Sequence, residues 1–465
     1  MTKSSKRFYS KWQYRAEPML SPRSRLIWWV TLLVLPFATI VGLLPAAAPF
    51  AMLLICAFIV AVLFDALFAF GAVQGFSVEC ADTVRLSKDR ASELELLFKN
   101  TAPANRVLRF GLPLPREIES PQEDLLVEIP GAGKTSRVGW PCTPRRRGNF
   151  PLDCCHIDGA SPLGFWSARA ALPLRSELRV YPDLMKERKN VAALFLNRGT
   201  FGIHALRQVG KGRDFEKLRE YIPGDSYEDI HWKATAKRGR PVTKIFQIER
   251  TQEVYVVVDA SRLSAREVGD PAIPGAHVST LERFINAALV LALAAERQGD
   301  LFGIITFSDR VHEFVRARNG QAHFSLCRDA LYTLHPQIVT PDYDELFAFI
   351  RTRLRRRALL VFLTALDDPL LAESFEKNAG LVCRQHLLLV NMIQPPGVRP
   401  LFGNTNVARV DDLYRELGGH IQWQNLLELG KKLKSRGMQF SLVQNERLSA
   451  DVVTQYLNVK RRQLV

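Results

Sequence analysis

Apolar and polar positions alternate along this chain in three different ways. Residues 1–25 are polar and basic. From Leu26 to Leu44 (LIWWVTLLVLPFATIVGLL) an apolar run carries no charge, and it is about long enough to cross a bilayer as a helix. Trp28 and Trp29 stand at its start, where an aromatic belt would lie. A short connection from Pro45 to Pro49 leads into a second apolar run, Phe50 to Val73, whose one charge is Asp65. The first run is long and a second follows at once, so the pair reads as a retained transmembrane helical hairpin over 26–73, not a cleaved signal. Over 74–185 the period falls to two: SVECADTVRL, ELELLFKN, RVLRFGLPLP, DLLVEIP, FPLDCCHI and SELRVYPD are short alternating runs bounded by Gly, Pro and Asn. Such spacing predicts a small antiparallel β-sandwich-like domain. Residues 186–250 form a connector. From 251 to 465 strand and helix periods alternate: VYVVVD, a helix over Leu281–Arg297, LFGIITFS, HEFVRAR, helices over Phe324–Leu334 and Tyr343–Leu354, ALLVFLTAL, a helix over Leu370–Arg384, HLLLVNMI, helical periodicity over Leu413–Ser435, QFSLVQ and a helix over Asp451–Leu464. This alternation predicts an α/β domain with a doubly wound, mostly parallel sheet, in which ligands bind beyond the C-terminal strand ends.

Charge adds an orientation. The formal net charge is +16. Lys3, Lys6, Arg7, Lys11, Arg15, Arg23 and Arg25, against Glu17 alone, place much of that excess before the first apolar run. A basic N-terminus stays in the cytoplasm, and two crossings return the chain there. The expectation is a two-pass protein of the inner (cytoplasmic) membrane with its soluble domains in the cytoplasm. Seven irregularly spaced cysteines argue against a disulfide framework and for a reducing compartment. Cys154-Cys155-His156, with adjacent ligands and no second cluster, makes a poor metal site. Asp65 either reaches the headgroups or faces protein or water. Arg145-Arg146-Arg147 is either a partner-facing patch or a charged hairpin edge. Basic clusters at Arg353–Arg357, Lys431–Arg436 and Lys460–Arg462 have no accompanying nucleic-acid motif. A membrane surface or an acidic partner suits them better, and no nucleic acid is expected. There is no Walker-type phosphate loop.

The densest stretch is GKGRDFEKLREYIPGDSYEDIHWKATAKRGRPVTKIFQ, Gly210 to Gln247. It reads as a loop, a short helix over Asp214–Tyr221, a Pro223-Gly224-Asp225 turn and an extended arm. Trp232 is expected to pack between domains. The pattern at Gly212, Phe215, Leu218, Arg219, Glu220, Tyr221, Gly224, Asp225, Ile230, Trp232, Lys233, Ala236 and Lys237 resembles the signature of family fifty-eight of the domains of unknown function. These are bacterial membrane-anchored proteins whose signature runs into a von Willebrand factor A-like (Rossmann-type) domain. The resemblance implies that fold for 251–465. It also implies work beside a MoxR-type AAA+ ATPase and a protein-interaction role.

The von Willebrand factor A fold often holds Mg2+ at the sheet edge, on Asp-x-Ser-x-Ser after the first strand, a distant Thr and a further Asp. Here Asp259, Ser261 and Thr340 match, but Leu263 stands at the next hydroxyl place and Ala365 where an Asp is expected, with Asp367 and Asp368 just beyond. That is a degenerate metal-ion-dependent adhesion site, and no cofactor is expected beyond a Mg2+ held by this reduced set. An enzymatic alternative makes Asp225 and His231 a hydrolase acid/base pair. No nucleophile accompanies them, so the expectation is a non-enzymatic adaptor. A membrane-associated nucleic-acid binder is the further alternative.

Overall fold

The computed structural model describes residues 19–43, 48–103, 105–131, 135–185, 209–223, 226–247, 252–269, 277–401 and 410–462. The chain forms two compact units, 1–183 and 184–465.

The first unit opens with strand β1 (Met19–Pro22) and helices α1 (Ser24–Leu43) and α2 (Ala48–Ala69), the latter extended by one tight turn to Ala72. Both helices are apolar all round and leave residues such as Leu32, Leu35, Met52, Leu53 and Leu63 exposed. A helix of that kind needs a bilayer or a protein core around it, and the two are long and apolar enough to cross a membrane. Strands β2 (Phe76–Cys80), β3 (Thr83–Ser87), β4 (Ser92–Asn100), β5 (Arg106–Gly111), β6 (Ile118–Glu119), β7 (Leu125–Ile129), β8 (Thr135–Pro144), β9 (Gly148–Ala160) and β10 (Trp166–Tyr181) follow. They form two sheets. One has the order β1-β10-β9-β5-β7, with β3 running parallel to β10, and the other the order β2-β4-β8-β6. Alternation does the work of burial: Leu94, Leu96 and Phe98 point inward while Glu93 and Glu95 point out. Phe98, Phe110 and Trp140 meet between the sheets, giving the expected sandwich core.

β8 carries Pro141 and is absent from the alternating runs read above. It is tolerated because its outer neighbour β6 pairs only with Thr143 and Pro144, so Pro141 sits where no ladder bond is needed on that side. The triple arginine is the β8–β9 turn. Arg145 pairs with Glu119 and Asp89, and Arg147 is buried.

The second unit begins with a ribbon of β11 (Val209–Glu220) and β12 (Val242–Gln247). Between them lie a 3-10 turn at Tyr227–Asp229 and the short helix α3 (Trp232–Arg238). The expected helix over Asp214–Tyr221 is therefore a strand. Apolar spacing at 215, 218 and 221 suits a helix, but pairing with β12 satisfies the backbone instead, from Phe215 opposite Phe246 to Glu220 opposite Val242. After this come β13 (Glu253–Asp259), the small ladder β14 (Glu267–Gly269) and β15 (His277–Ser279), α4 (Thr280–Arg297), β16 (Leu301–Phe307), β17 (Val311–Arg318), α5 (Gln321–Leu331), α6 (Tyr343–Arg353), β18 (Ala358–Leu363), α7 (Pro369–Val382), β19 (Leu387–Ile393), α8 (Val410–Ser435), β20 (Gln439–Val443) and α9 (Leu448–Arg462). The main sheet has the order β17-β16-β13-β18-β19-β20, parallel except for β17. Val254, Val256 and Val258 of β13 face the core built with α4 and α9. Tyr255 and Val257 face the one built with α6, α7 and α8. Burial on both faces explains why the parallel strands read as continuous apolar runs. Helix starts are capped as their sequences dictate, by Ser279 for α4, Asp342 for α6 and Asp368 before Pro369 for α7.

Candidate functional site

The first strand reversal of a doubly wound sheet opens a crevice at the C-terminal strand ends. Central β13 delivers Asp259 there, fully buried. Its Oδ1 accepts from Ser261 N at 2.8 Å and its Oδ2 from Thr364 Oγ1 at 2.7 Å. Thr364 follows β18 directly, and its hydroxyl also meets Tyr343 Oη at 3.0 Å. Because the threonine proton goes to the carboxylate, the tyrosine donates to the threonine. Burial pushes the Asp259 carboxyl pKa up, against the hydrogen bonds from Thr364 and Ser261, which lower it. Burial first, and the Asp259 charge second, push Tyr343 well above the ordinary phenol value.

Ser261 turns the chain. Its Oγ accepts from Leu263 N at 3.3 Å, and its carbonyl accepts from Ser264 Oγ at 2.8 Å, so both serines are spent on a single 3-10 turn over Arg262–Ala265. Leu263, in the place of a hydroxyl, is buried. Thr340 is close by, because Arg262 N donates to Val339 O and Arg262 Nε reaches Thr340 Oγ1 at 3.4 Å. The two displaced acids are occupied by cations of the chain itself. Arg266 Nη1 lies 2.5 Å from Asp367 Oδ2, and Arg262 Nη2 lies 3.9 Å from Asp368 Oδ2. The other oxygen of Asp368 caps α7 at Leu370 N.

Asp259, Ser261 and Thr340 are thus brought to one edge, where the chain's own donors and arginines compete with a divalent cation. Each Asp259 oxygen and the Ser261 hydroxyl accepts one hydrogen bond, Thr340 takes a guanidinium, and an arginine faces one oxygen each of Asp367 and Asp368, while the other Asp367 oxygen is buried without a hydrogen-bond partner. A hard cation needs several free oxygens around one point. Two side chains stand out on this edge. Ile338 is 92% exposed and Leu370 77% exposed. Sequence reasoning missed Thr364, Tyr343, Arg262 and Arg266. Only Thr364, immediately after an apolar strand, carried a positional signal.

The signature stretch folds into a small unit of its own. His231 Nδ1 accepts from Ala234 N at 3.0 Å, capping α3, while its backbone N donates to Val242 O. Glu220 pairs with Arg240 at 3.0 Å, and Tyr221 stacks on Tyr227. Arg219 shares β11 with Glu220, and Gly212 and Phe215 lie earlier in that strand. Lys233 and Lys237 are exposed. Trp232, expected to be packed, is 70% exposed. It is the first residue of a helix whose inward side is taken by Ala234 and Thr235, the latter accepting from Val242 N. Gly224 and Asp225 lie outside the described residues.

The Asp65 side chain meets protein. It is buried in the first unit beneath the β9–β10 turn, where Ser161 Oγ and the backbone N–H groups of Leu163 and Phe165 donate to it at 2.6, 2.9 and 3.1 Å.

Residues 217–407 match the family described as Protein of unknown function DUF58. No curated protein matches the chain. Among solved structures, the chain is similar to BatB, a conserved hypothetical protein from Bacteroides thetaiotaomicron (14% identity, covering 45% of this chain and 99% of that one, TM-score 0.28). It is also similar to an aerotolerance-related membrane protein from Bacteroides fragilis (14%, 44% and 98%, TM-score 0.27) and to the VWA domain of SpRpn10 (10%, 44% and 95%, TM-score 0.27). The chain therefore carries the DUF58 region over residues 217–407, which takes in most of the doubly wound sheet and is preceded by two helices long and apolar enough to cross a membrane.

Proposed function

We propose that this protein is a membrane-anchored adaptor that holds a protein partner at the C-terminal edge of its main sheet and catalyses no reaction itself. The observation that carries this reading is the edge as folded. Its acids are matched by Arg262 and Arg266, its serines are consumed in a turn, and Ile338 and Leu370 project from it. Exposed aliphatic side chains ringed by fixed charge pairs are the makings of a docking surface, whereas a catalytic site needs a free nucleophile or base. Docking here needs no bound metal, because the arginines supply the positive charge.

The partner that the family resemblance implies is a MoxR-type AAA+ ATPase. Its nucleotide chemistry would supply what this chain, with no Walker-type loop, lacks. The basic N-terminus supports an inner-membrane protein with both soluble units in the cytoplasm. The test is affinity purification of the full chain from membranes of its host, with wild type beside an Ile338→Asp, Leu370→Asp double variant. Recovery of an AAA+ ATPase with wild type, lost with the variant at equal expression, is the expected result. Equal recovery with both would remove the edge from the proposal. Reproducible recovery of some other protein and no AAA+ ATPase would remove that partner.

A further inference from the structure

The first unit ties both apolar helices to one end of the sandwich. β1 pairs with the start of β10, Pro22 opposite Trp166, and Arg23 N donates to Phe165 O at 2.9 Å, so α1 leaves from the β9–β10 turn. α2 arrives at the same turn. Asp65 gathers the three donors of Ser161, Leu163 and Phe165. Trp166 Nε1 donates to Val62 O at 3.0 Å, and the Phe58 and Phe165 rings meet edge to face at 5.9 Å. Beyond Asp65 the helix runs on into the sandwich. Ala69 is fully buried, Arg106 donates to Gly71 O, and a Cβ on Gly159 would lie 3.2 Å from Ala72.

These contacts set a length. α1 has 20 residues from its start at the turn, about 30 Å at 1.5 Å per residue. The stretch of α2 from Ala48 to Asp65 comes to about 27 Å on the same rise. Both match the roughly 30 Å of a bilayer's hydrocarbon. The near face of the membrane then falls at the level of Asp65 and the β9–β10 turn. At that level the chain places exposed Arg23 and Arg25, suited to phosphate headgroups. Exposed Trp28 and Trp29 come one turn deeper, at interfacial depth. Leu163, at the tip of the turn, is 51% exposed beside a region that no described residue of the unit covers.

We propose that the β9–β10 turn, Ser161 to Phe165, is a lipid-contacting foot that seats the sandwich on the headgroup layer, with Leu163 inserted at the boundary and Asp65 fixing its depth. The Asp65 side chain needs no cation from the lipid, because three donors of the turn already bond to it. The strands carry the rest of the sandwich away from that surface. β9 alone has 13 residues, so its other end, the turn at Arg145–Arg147, lies about 40 Å further along the strand.

The test uses the full chain in nanodiscs of phosphatidylcholine and phosphatidylglycerol, with the accessible cysteines Cys56, Cys80, Cys154 and Cys383 changed to Ser. Leu163→Cys and, separately, Arg146→Cys are labelled with an environment-sensitive fluorophore, and lipids carrying a quencher near the headgroup are added. The label at 163 should shift to the blue and be quenched by the lipid, while the label at 146 should show neither effect. Asp65→Asn, which turns one acceptor oxygen into a donor facing other donors, should reduce quenching at 163. Should that variant not fold, the comparison of 163 with 146 in the parent still decides. A label at 163 as water-exposed and unquenched as the one at 146 would overturn the proposal. So would a blue shift without lipid quenching, which would mark a protein contact instead.

Discussion

Replacing Thr364 with Val preserves shape and removes one hydroxyl from the middle of a buried relay. Tyr343 donates to Thr364 at 3.0 Å, and Thr364 donates to Asp259 at 2.7 Å. All three residues are buried. The variant loses a hydrogen bond to a carboxylate and leaves the Tyr343 hydroxyl without its acceptor, together about 3–5 kcal/mol. For a unit of this size that corresponds to a fall in melting temperature of roughly 6–15 °C. The effect should also depend on pH. The folded Asp259 pKa lies above its ordinary value because of burial. Folding therefore disfavours the ionised form, and stability from this group is full at low pH and lost as pH rises through the folded pKa. The Thr364 donor supports the ionised form above all, so the gap between wild type and variant should be widest near pH 8 and narrow toward pH 4. Denaturant unfolding of the full chain in detergent micelles across that range measures it. A gap under about 1 kcal/mol, or one that stays constant with pH, would refute the view that Thr364 underwrites Asp259.

Other outcomes follow from single contacts. Gly303→Ala should destabilise the second unit by about 2–3 kcal/mol, because the new Cβ would lie 2.5 Å from the Tyr255 ring and 2.7 Å from Val315 O; a shift in the urea midpoint at constant slope checks it. Burial holds the His386 pKa below its ordinary value, so the folded state binds its proton less readily and stability falls as pH drops below the unfolded value of about 6.5. His386→Leu should flatten that fall, measured by denaturant titration between pH 5 and pH 8. Because Arg262 and Arg266 already face the acids at this edge, added Mg2+ should shift the melting temperature no more than Na+ at matched ionic strength. Arg266→Ala should cost about 1–3 kcal/mol, because it leaves the nearly buried Asp367 carboxylate without its cation, while weakening retention of the docked partner in the purification described above.

Much of the architecture was legible because its signals are local. The apolar runs, the alternating strands around Leu94–Phe98 and the strand–helix alternation after Gln252 each state their own burial. Asp259 could be placed at a strand end from VYVVVD alone. Legibility failed where a residue's role is set by a distant neighbour. Phe215, Leu218 and Tyr221 satisfy a helical spacing equally well, and only the partner strand Val242–Gln247 makes their segment extended. Pro141 hid a strand because its acceptability depends on how short β6 is. Asp65 lies 96 residues from the Ser161 hydroxyl that binds it, and no spacing rule connects them. The cations at the sheet edge escaped notice because Arg262 and Arg266 are unremarkable in a chain this basic until their partners Asp367 and Asp368 are brought up from 100 residues away.

The amino-acid sequence by itself determined the two bilayer-length helices, the sandwich, the doubly wound sheet and the edge where Asp259 emerges, because hydrophobic periodicity reports which side of each element is dry. Only the tertiary structure decided what the polar groups at those places do: that Asp65 clasps the turn of the sandwich, that arginines stand against the displaced acids, and that Trp232 and Ile338 face solvent. The physical reason is range. Burial of an apolar face is encoded within a few residues, whereas a carboxylate's partner is chosen by the packing of segments far apart in the chain.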